Sequence, residues 1–330
     1  MPRRHRGGGM RVLTWHVHGS WTTSFVHGDH TYVVPRTPRR DADGRGRART
    51  FPWPDNAVER SPAELRAEPV DVVVLQRPHE IELAERWLGR RPGVDVPAVY
   101  VEHDTPRGPA AATRHPMADR ADIPLVHVTH FNEVFWESGA APTRVIEHGI
   151  VDPGHHYTGD LDRAGMVVNE PVRRARITGS DLLPAFAAAA PLDVFGMGVR
   201  GLPDHLGLPA GRMRVHEDLP QHAMHRELAA RRVYVHPYRW TSLGLALLEA
   251  MQLGMPVVAL AATEAVEAVP ADAGVVSTRP DVLADAVREL VADPGRAKEM
   301  GRAARAAALR RYPLERFLAA WDELLQEVTG

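Results

Sequence analysis

Cysteine is missing from this 330-residue chain, which excludes disulfides, thiolate metal sites and cysteine nucleophiles and agrees with a reducing, cytoplasmic setting. Also missing is any run of about 18 apolar residues, the length a membrane-spanning helix requires. The longest candidate, around Leu243 to Ala262, is interrupted by Glu249, Gln252 and Pro256. A transmembrane helix is therefore not expected, while peripheral contact with the inner face of a membrane stays open, because a few arginines on one face would not show in the total charge. An excess of positive charge is lacking too. A formal net charge of -2 denies the chain the accumulated lysine and arginine from which affinity for a phosphate backbone comes, so no nucleic-acid partner is expected. The opening MPRRHRGGG is followed by no apolar signal-peptide core; residues 1–9 read as a disordered extension.

What is present is ordinary globular material, 44% hydrophobic and 25% charged, of a length that favours two domains. Apolar runs at Arg11–Val17, Thr31–Val34, Val70–Leu75, Ala98–Val101, Leu125–Val128 and Arg144–Ile146 read as strands. A turn-rich stretch, Val151–Arg163, separates them from a second series that starts near Met166. Strands alternating with helices predict α/β domains with doubly wound parallel sheets, whose ligands sit at the carboxyl ends of the strands. The expected division is 10–160, 161–312, and a last helix over 313–330 with Phe317, Leu318, Trp321, Leu324 and Leu325 on one buried face. Arg36–Asp55, rich in Arg, Gly, Asp and Pro, reads as a mobile loop over the site.

The stretch 232–260, RVYVHPYRWTSLGLALLEAMQLGMPVVAL, packs strand, loop, helix and strand into one unit. Thr241 or Ser242 is the expected N-cap of a helix starting near Leu243, and Gly254 with Pro256 stops it. The first amides of such a helix have no intrahelical partner and carry the positive end of its dipole, so a phosphate fits at Ser242, Leu243 and Gly244. Glu249, about two turns on, can meet hydroxyls attached to that phosphate.

This stretch resembles the donor-sugar motif of the family 4, group 1 retaining glycosyltransferases of the GT-B fold, whose pattern is E-G-F-G-L-x-x-x-E-A-M-x-x-G-x-P-V-V. Gly244, Leu245, Glu249, Ala250, Met251, Gly254, Pro256, Val257 and Val258 match; Thr241 stands where the first glutamate belongs. The resemblance implies two Rossmann-like domains facing a central cleft, an N-terminal one for the acceptor and a C-terminal one for the donor, with the last helix crossing back toward the first domain. It implies a metal-independent hexosyl transfer with retention from a nucleoside-diphosphate sugar to an acceptor hydroxyl, with no cofactor. Glu249 would bind the ribose. In the relatives' G-R-L-x-x-x-K-G segment the arginine and lysine neutralise the diphosphate; Arg173 matches the arginine and Thr178 replaces the lysine, with Arg174 and Arg176 close by, Arg176 on a strand-like loop that could face the same phosphate. Thr241 contacts the sugar or only caps the helix. In the first domain, AVYVEHDTP sets His103 where a neutral imidazole could orient the attacking hydroxyl or be purely structural. Gly19, in WHVHGSW, would let backbone approach the donor, and Trp21 would stack on a sugar or lie in the core.

Three other patterns point elsewhere. GMGVRG at Gly196–Gly201 fits a dinucleotide fingerprint, but the following LPDHLGLP is too broken to open the helix that fingerprint requires. His16, His18, His27 and His30 are spaced without a convincing carboxylate, so no metal is expected. His222 and His225 on a helix read as exposed. Two other functions stay open: a sugar-nucleotide-binding protein without transferase activity, and another sugar-nucleotide enzyme of the same fold such as an epimerase.

Overall fold

The computed structural model describes residues 9–330; apart from Gly9, the expected extension lies outside them. The chain forms two compact units. One runs to Gly149 and takes back Leu314–Gly330; the other is Ile150–Pro313.

The first unit is built on seven strands: β1 (Arg11–Thr14), β2 (Thr31–Pro35), β3 (Ala57–Arg60), β4 (Val72–Leu75), β5 (Ala98–Glu102), β6 (Leu125–His127) and β7 (Thr143–Val145). All pair in parallel, in the order β3-β2-β1-β4-β5-β6-β7. Central strands such as VVVL in β4 are wholly buried, as expected of a sheet covered on both faces. The order reverses beside β1, which places the ligand-binding crevice of such a sheet at the carboxyl ends of β1 and β4. The Leu314–Thr329 helix buries Phe317, Trp321, Leu324 and Leu325, with the Trp321 ring 5.0 Å from that of Phe25 and 5.8 Å from that of Trp21. Leu318 is only partly buried.

The second unit carries β8 (Leu161–Val167), β9 (Leu192–Gly196), β10 (Met213–Glu217), β11 (Arg231–His236), β12 (Val257–Leu260) and β13 (Gly274–Ser277). These are again all parallel, in the order β10-β9-β8-β11-β12-β13. Its switch point lies between β8 and β11. One apolar core gathers around the Leu245–Leu253 helix and another around Leu183, Phe186, Leu283 and Val287. Residues 151–160 lie in this unit: Tyr157 N donates to Leu253 O at 3.0 Å and its hydroxyl to Arg232 O at 2.9 Å.

The expectation of a mobile loop at Arg36–Asp55 is corrected. Thr37 N donates to Gly44 O at 2.9 Å, and Trp53 Nε1 to Thr23 Oγ1 at 2.8 Å. The Arg47 guanidinium donates to the carbonyls of Trp53, Pro54 and Ala57. Three of its arginines, Arg36 and Arg40 through Glu59 and Arg47 through these carbonyls, help hold the loop in place.

Candidate functional site

Two loops meet at the switch point of the second unit, one leaving β8 and one leaving β11. Gly179 is the joint. Its φ is +74°, and a Cβ there would sit 2.0 Å from Pro237 O, so only glycine allows the first loop to pass under the second. Arg239 N donates to Ile177 O at 2.9 Å, and the Arg239 guanidinium bonds Arg176 O at 2.9 Å and pairs with Asp181.

The loop after β11 ends at Gly244, the N-cap position of the Leu245–Leu253 helix, with φ -72° and ψ 114° and no side-chain cap. The expected cap is thus corrected: neither Thr241 nor Ser242 serves, and the buried Thr241 Oγ1 has no partner among the described residues. The cause is local packing. A Cβ at residue 244 would stand 2.5 Å from the His236 ring; that imidazole is buried and stacked 4.4 Å from Tyr238. Glycine therefore stays extended over the imidazole and delays the first helical turn by two residues. The amides of Leu243, Gly244, Leu245 and Ala246 donate to nothing among the described residues, and they start a helix whose dipole favours an anion there. Burial holds His236 down to about 3, so it is uncharged at neutral pH and the positive field comes from the amides. Gly244→Ala should weaken nucleoside-diphosphate binding at least about tenfold, since one misplaced amide hydrogen bond to a charged group costs about 1.5–3 kcal/mol. Calorimetry on this variant and on Gly244→Ala/His236→Ala checks it: the double variant should regain affinity, and an unchanged single variant would sever the link.

Glu249 lies one helical face further on, 4% exposed. Its Oε1 accepts from Gln221 Nε2 at 3.2 Å and its Oε2 lies 3.0 Å from His225 Nε2. His225 is accordingly buried, which corrects the expectation of an exposed pair; His222 is exposed.

The segment after β8 is not strand-like. It runs through a helical turn, Pro171–Arg174, and a 3-10 turn, Ala175–Thr178. This turns Arg173 and Arg176 outward, where Arg173 Nε pairs with Glu170 at 2.9 Å and Arg176 with Asp181 at 2.9 Å. Thr178, in the place of the relatives' lysine, is buried, donating to Ala175 O at 3.1 Å. Arg174 is half-buried, and its side chain makes no hydrogen bond or ion pair among the described residues. Its charge is felt at the Tyr238 phenol, which itself donates to Val167 O at the end of β8. Of the three arginines Arg174 is the one whose side chain has no ion-pair partner among the described residues, and the helical and 3-10 turns that set it apart had no sequence signal.

In the first unit His103 follows β5 and packs 4.1 Å, ring to ring, from His18, which follows β1. The His103 Nε2 is buried without a partner. Burial, then the nearby His18 and His148, push its pKa well below the usual imidazole range, so the ring is neutral. Trp21 is core, 1% exposed against Phe25 and Trp321. Gly19 begins the short Gly19–Phe25 helix, and the space where its Cβ would be lies 2.9 Å from the Phe51 ring; it makes room for the 36–55 loop.

His148, also without a partner on Nδ1, is held at about 3 by burial and then by His18. A folded pKa below the unfolded value of about 6.5 means that the unfolded chain binds the extra proton, so this contribution to stability is complete above about pH 6.5 and declines toward pH 3. The slope is about 1.4 kcal/mol per pH unit for one histidine. His148→Asn should therefore shrink the loss of unfolding free energy between pH 7 and pH 5 by about 2 kcal/mol; equal losses in urea titrations of the two proteins would refute it.

The other patterns have structural uses. The GMGVRG turn is filled by the chain's own Glu217, whose carboxylate accepts from the amides of Gly198, Val199 and Arg200 at 2.7, 3.0 and 3.2 Å. His16 Nδ1 donates to Gly46 O, His27 Nδ1 lies 2.6 Å from Thr23 O, and His30 Nε2 lies 3.0 Å from Asp322. These rings serve separate partners.

A family model described as "Glycosyl transferases group 1" matches residues 206–307, which include β11, the Thr241–Gly244 loop and Glu249. No curated protein matches the sequence. Among solved structures, sucrose-phosphate synthase from Thermosynechococcus elongatus superposes with a TM-score of 0.71 at 15% identity, covering 96% of this chain and 98% of that one. Anabaena HepE, crystallised with UDP and glucose, gives 0.70 at 16% identity over 97% and 99%. A glycosyltransferase from Rickettsia africae gives 0.69 at 13% identity over 98% and 99%. The chain thus has the GT-B fold, with the group 1 glycosyl transferase match lying in its second unit.

Proposed function

We propose that the protein transfers a hexosyl group from a nucleoside-diphosphate sugar to an acceptor hydroxyl, with retention and without a metal ion. The observation that carries this reading is the run of four unengaged amides, Leu243 to Ala246, at the switch point of a sheet whose neighbouring helix holds the buried carboxylate of Glu249. Amides and dipole would take the diphosphate, and Glu249 the ribose hydroxyls, keeping Gln221 and His225 as the groups that fix its rotamer. Arg174, backed by Arg173 and Arg176 once these release Glu170 and Asp181, would neutralise the charge that grows on the leaving diphosphate as its bond to the anomeric carbon breaks. Thr241, whose buried hydroxyl has no partner among the described residues, would serve a sugar hydroxyl. On the first unit the neutral His103, with a free Nε2, is suited to accept a hydrogen bond from the attacking hydroxyl.

A second reading, a sugar-nucleotide-binding protein without turnover, draws on the two threonines at 178 and 241, one of which is tied into its own loop. Because HepE has been crystallised with UDP-glucose, that sugar nucleotide is the first donor to try. Donor consumption in the presence of a chelator, with proton NMR of the anomeric signal in the product, tests transfer, metal independence and retention together. Inversion at the anomeric carbon would reject the stereochemical part.

A further inference from the structure

The loop between β2 and β3 holds six arginines and two aspartates over 36–49, and it surrounds a concavity of about 610 Å³ lined by His16, Arg39, Arg40, Arg45, Arg47 and Arg49. That volume is in the range of sites for small organic ligands. The arginines fall into two sets. Arg40 pairs with Glu59 through both terminal nitrogens, at 2.9 and 3.1 Å, and Arg47 is spent on three carbonyls; they shape the wall. Arg39, Arg45 and Arg49 are exposed, and none makes a side-chain hydrogen bond or ion pair among the described residues. Two acids close to the loop are already paired, Glu59 with Arg36 and Arg40 and Asp43 with Arg77 and His79, while Asp41 accepts from the Asp43 amide. His16 gives its Nδ1 proton to Gly46 O at 3.0 Å, so its Nε2 remains an acceptor suited to a hydroxyl.

Resting on the reading of the protein as a sugar transferase, we propose that this concavity binds the acceptor and that the acceptor carries a phosphate monoester. Three unpaired guanidiniums around one cavity carry more positive charge than a singly charged carboxylate neutralises; a phosphate monoester, with a charge of about -2 and three terminal oxygens, matches them in both charge and number. The cavity also sits on the right edge of the sheet. Its His16 wall is two residues from His18, whose ring packs at a tilt against that of His103, and Phe51 of the same loop fills the space at Gly19. The phosphorylated end would thus be held beside the imidazoles at the carboxyl ends of β1 and β5.

Calorimetric titration of the full chain with glucose 6-phosphate, glucuronic acid and glucose, each beside a titration with nucleoside diphosphates, tests this. The phosphate ester should bind at least about tenfold more tightly than the other two, and more weakly at high salt, where exposed charges are screened. Arg45→Gln/Arg49→Gln should lower its affinity at least tenfold and leave nucleoside-diphosphate affinity within twofold; both side chains are exposed and unpaired, so the fold should tolerate the change. Equal binding of glucuronic acid, an unchanged phosphate affinity in the variant, or a parallel fall in nucleoside-diphosphate affinity would each overturn the proposal. Failure of the donor site instead shows as no nucleoside-diphosphate binding by the unaltered protein.

Discussion

Glu249→Ala should weaken nucleoside-diphosphate binding about 100-fold, or about 2.8 kcal/mol at 1.4 kcal/mol per decade. Two hydroxyls of a ribose donating to a buried carboxylate are charge-assisted bonds of about 1.5–3 kcal/mol each, so the expected loss is within what one such pair supplies. The deletion also strands Gln221 and His225, both bonded to this carboxylate, which costs some stability. Two comparisons separate the effects. The free nucleoside should lose as much affinity as the diphosphate, because the contact is to the sugar and not the phosphate. His225→Ala, which disturbs the same packing and spares the carboxylate, should cost less than about tenfold, or 1.4 kcal/mol. If His225→Ala and Glu249→Ala weaken binding equally, Glu249 is a packing residue and its assignment to the ribose fails.

Gly179→Ala is expected to have the largest effect on stability. The left-handed backbone costs alanine about 1–2 kcal/mol, and the 2.0 Å approach to Pro237 O is to backbone, which cannot rotate away. A loss of at least about 2 kcal/mol corresponds to a fall of roughly 4–8 °C in the melting of a unit of this size. Binding should suffer beyond stability, because the substitution separates the two loops whose ends carry Arg174 and the free amides. Nucleoside-diphosphate affinity measured well below the melting temperature should drop at least about tenfold, the cost of one misplaced charge-assisted hydrogen bond; a destabilised variant that binds normally would show that the two loops are independent.

Much of this was legible from sequence order alone. The run from Val233 to Leu260 reads as strand, loop, helix and strand because β-branched residues, the αL glycine at Gly254, with φ +93°, and Pro256 are local signals. The start of the helix was misplaced by two residues because its determinant, the His236 ring beneath Gly244, is eight positions upstream and acts only after β11 and the loop have packed. Glu249 stood out by its neighbours, yet its partners Gln221 and His225 come from another helix, and no periodicity joins residues 24 and 28 positions apart. Strand β3 escaped notice because four residues, two of them charged, carry no apolar alternation. The 36–55 loop looked mobile because arginine usually means solvent, whereas Arg47 here donates to three carbonyls of its own loop.

The most direct test of sugar transfer is an incubation of the full chain with UDP-glucose and a panel of other nucleoside-diphosphate sugars, against glucose 6-phosphate and neutral hydroxyl acceptors, with nucleotide release and product followed by mass spectrometry. Transfer from at least one donor, lost in Glu249→Ala, is the predicted result. Tight nucleotide binding with no product from any donor and acceptor pair would contradict it and leave a sugar-nucleotide-binding protein in its place.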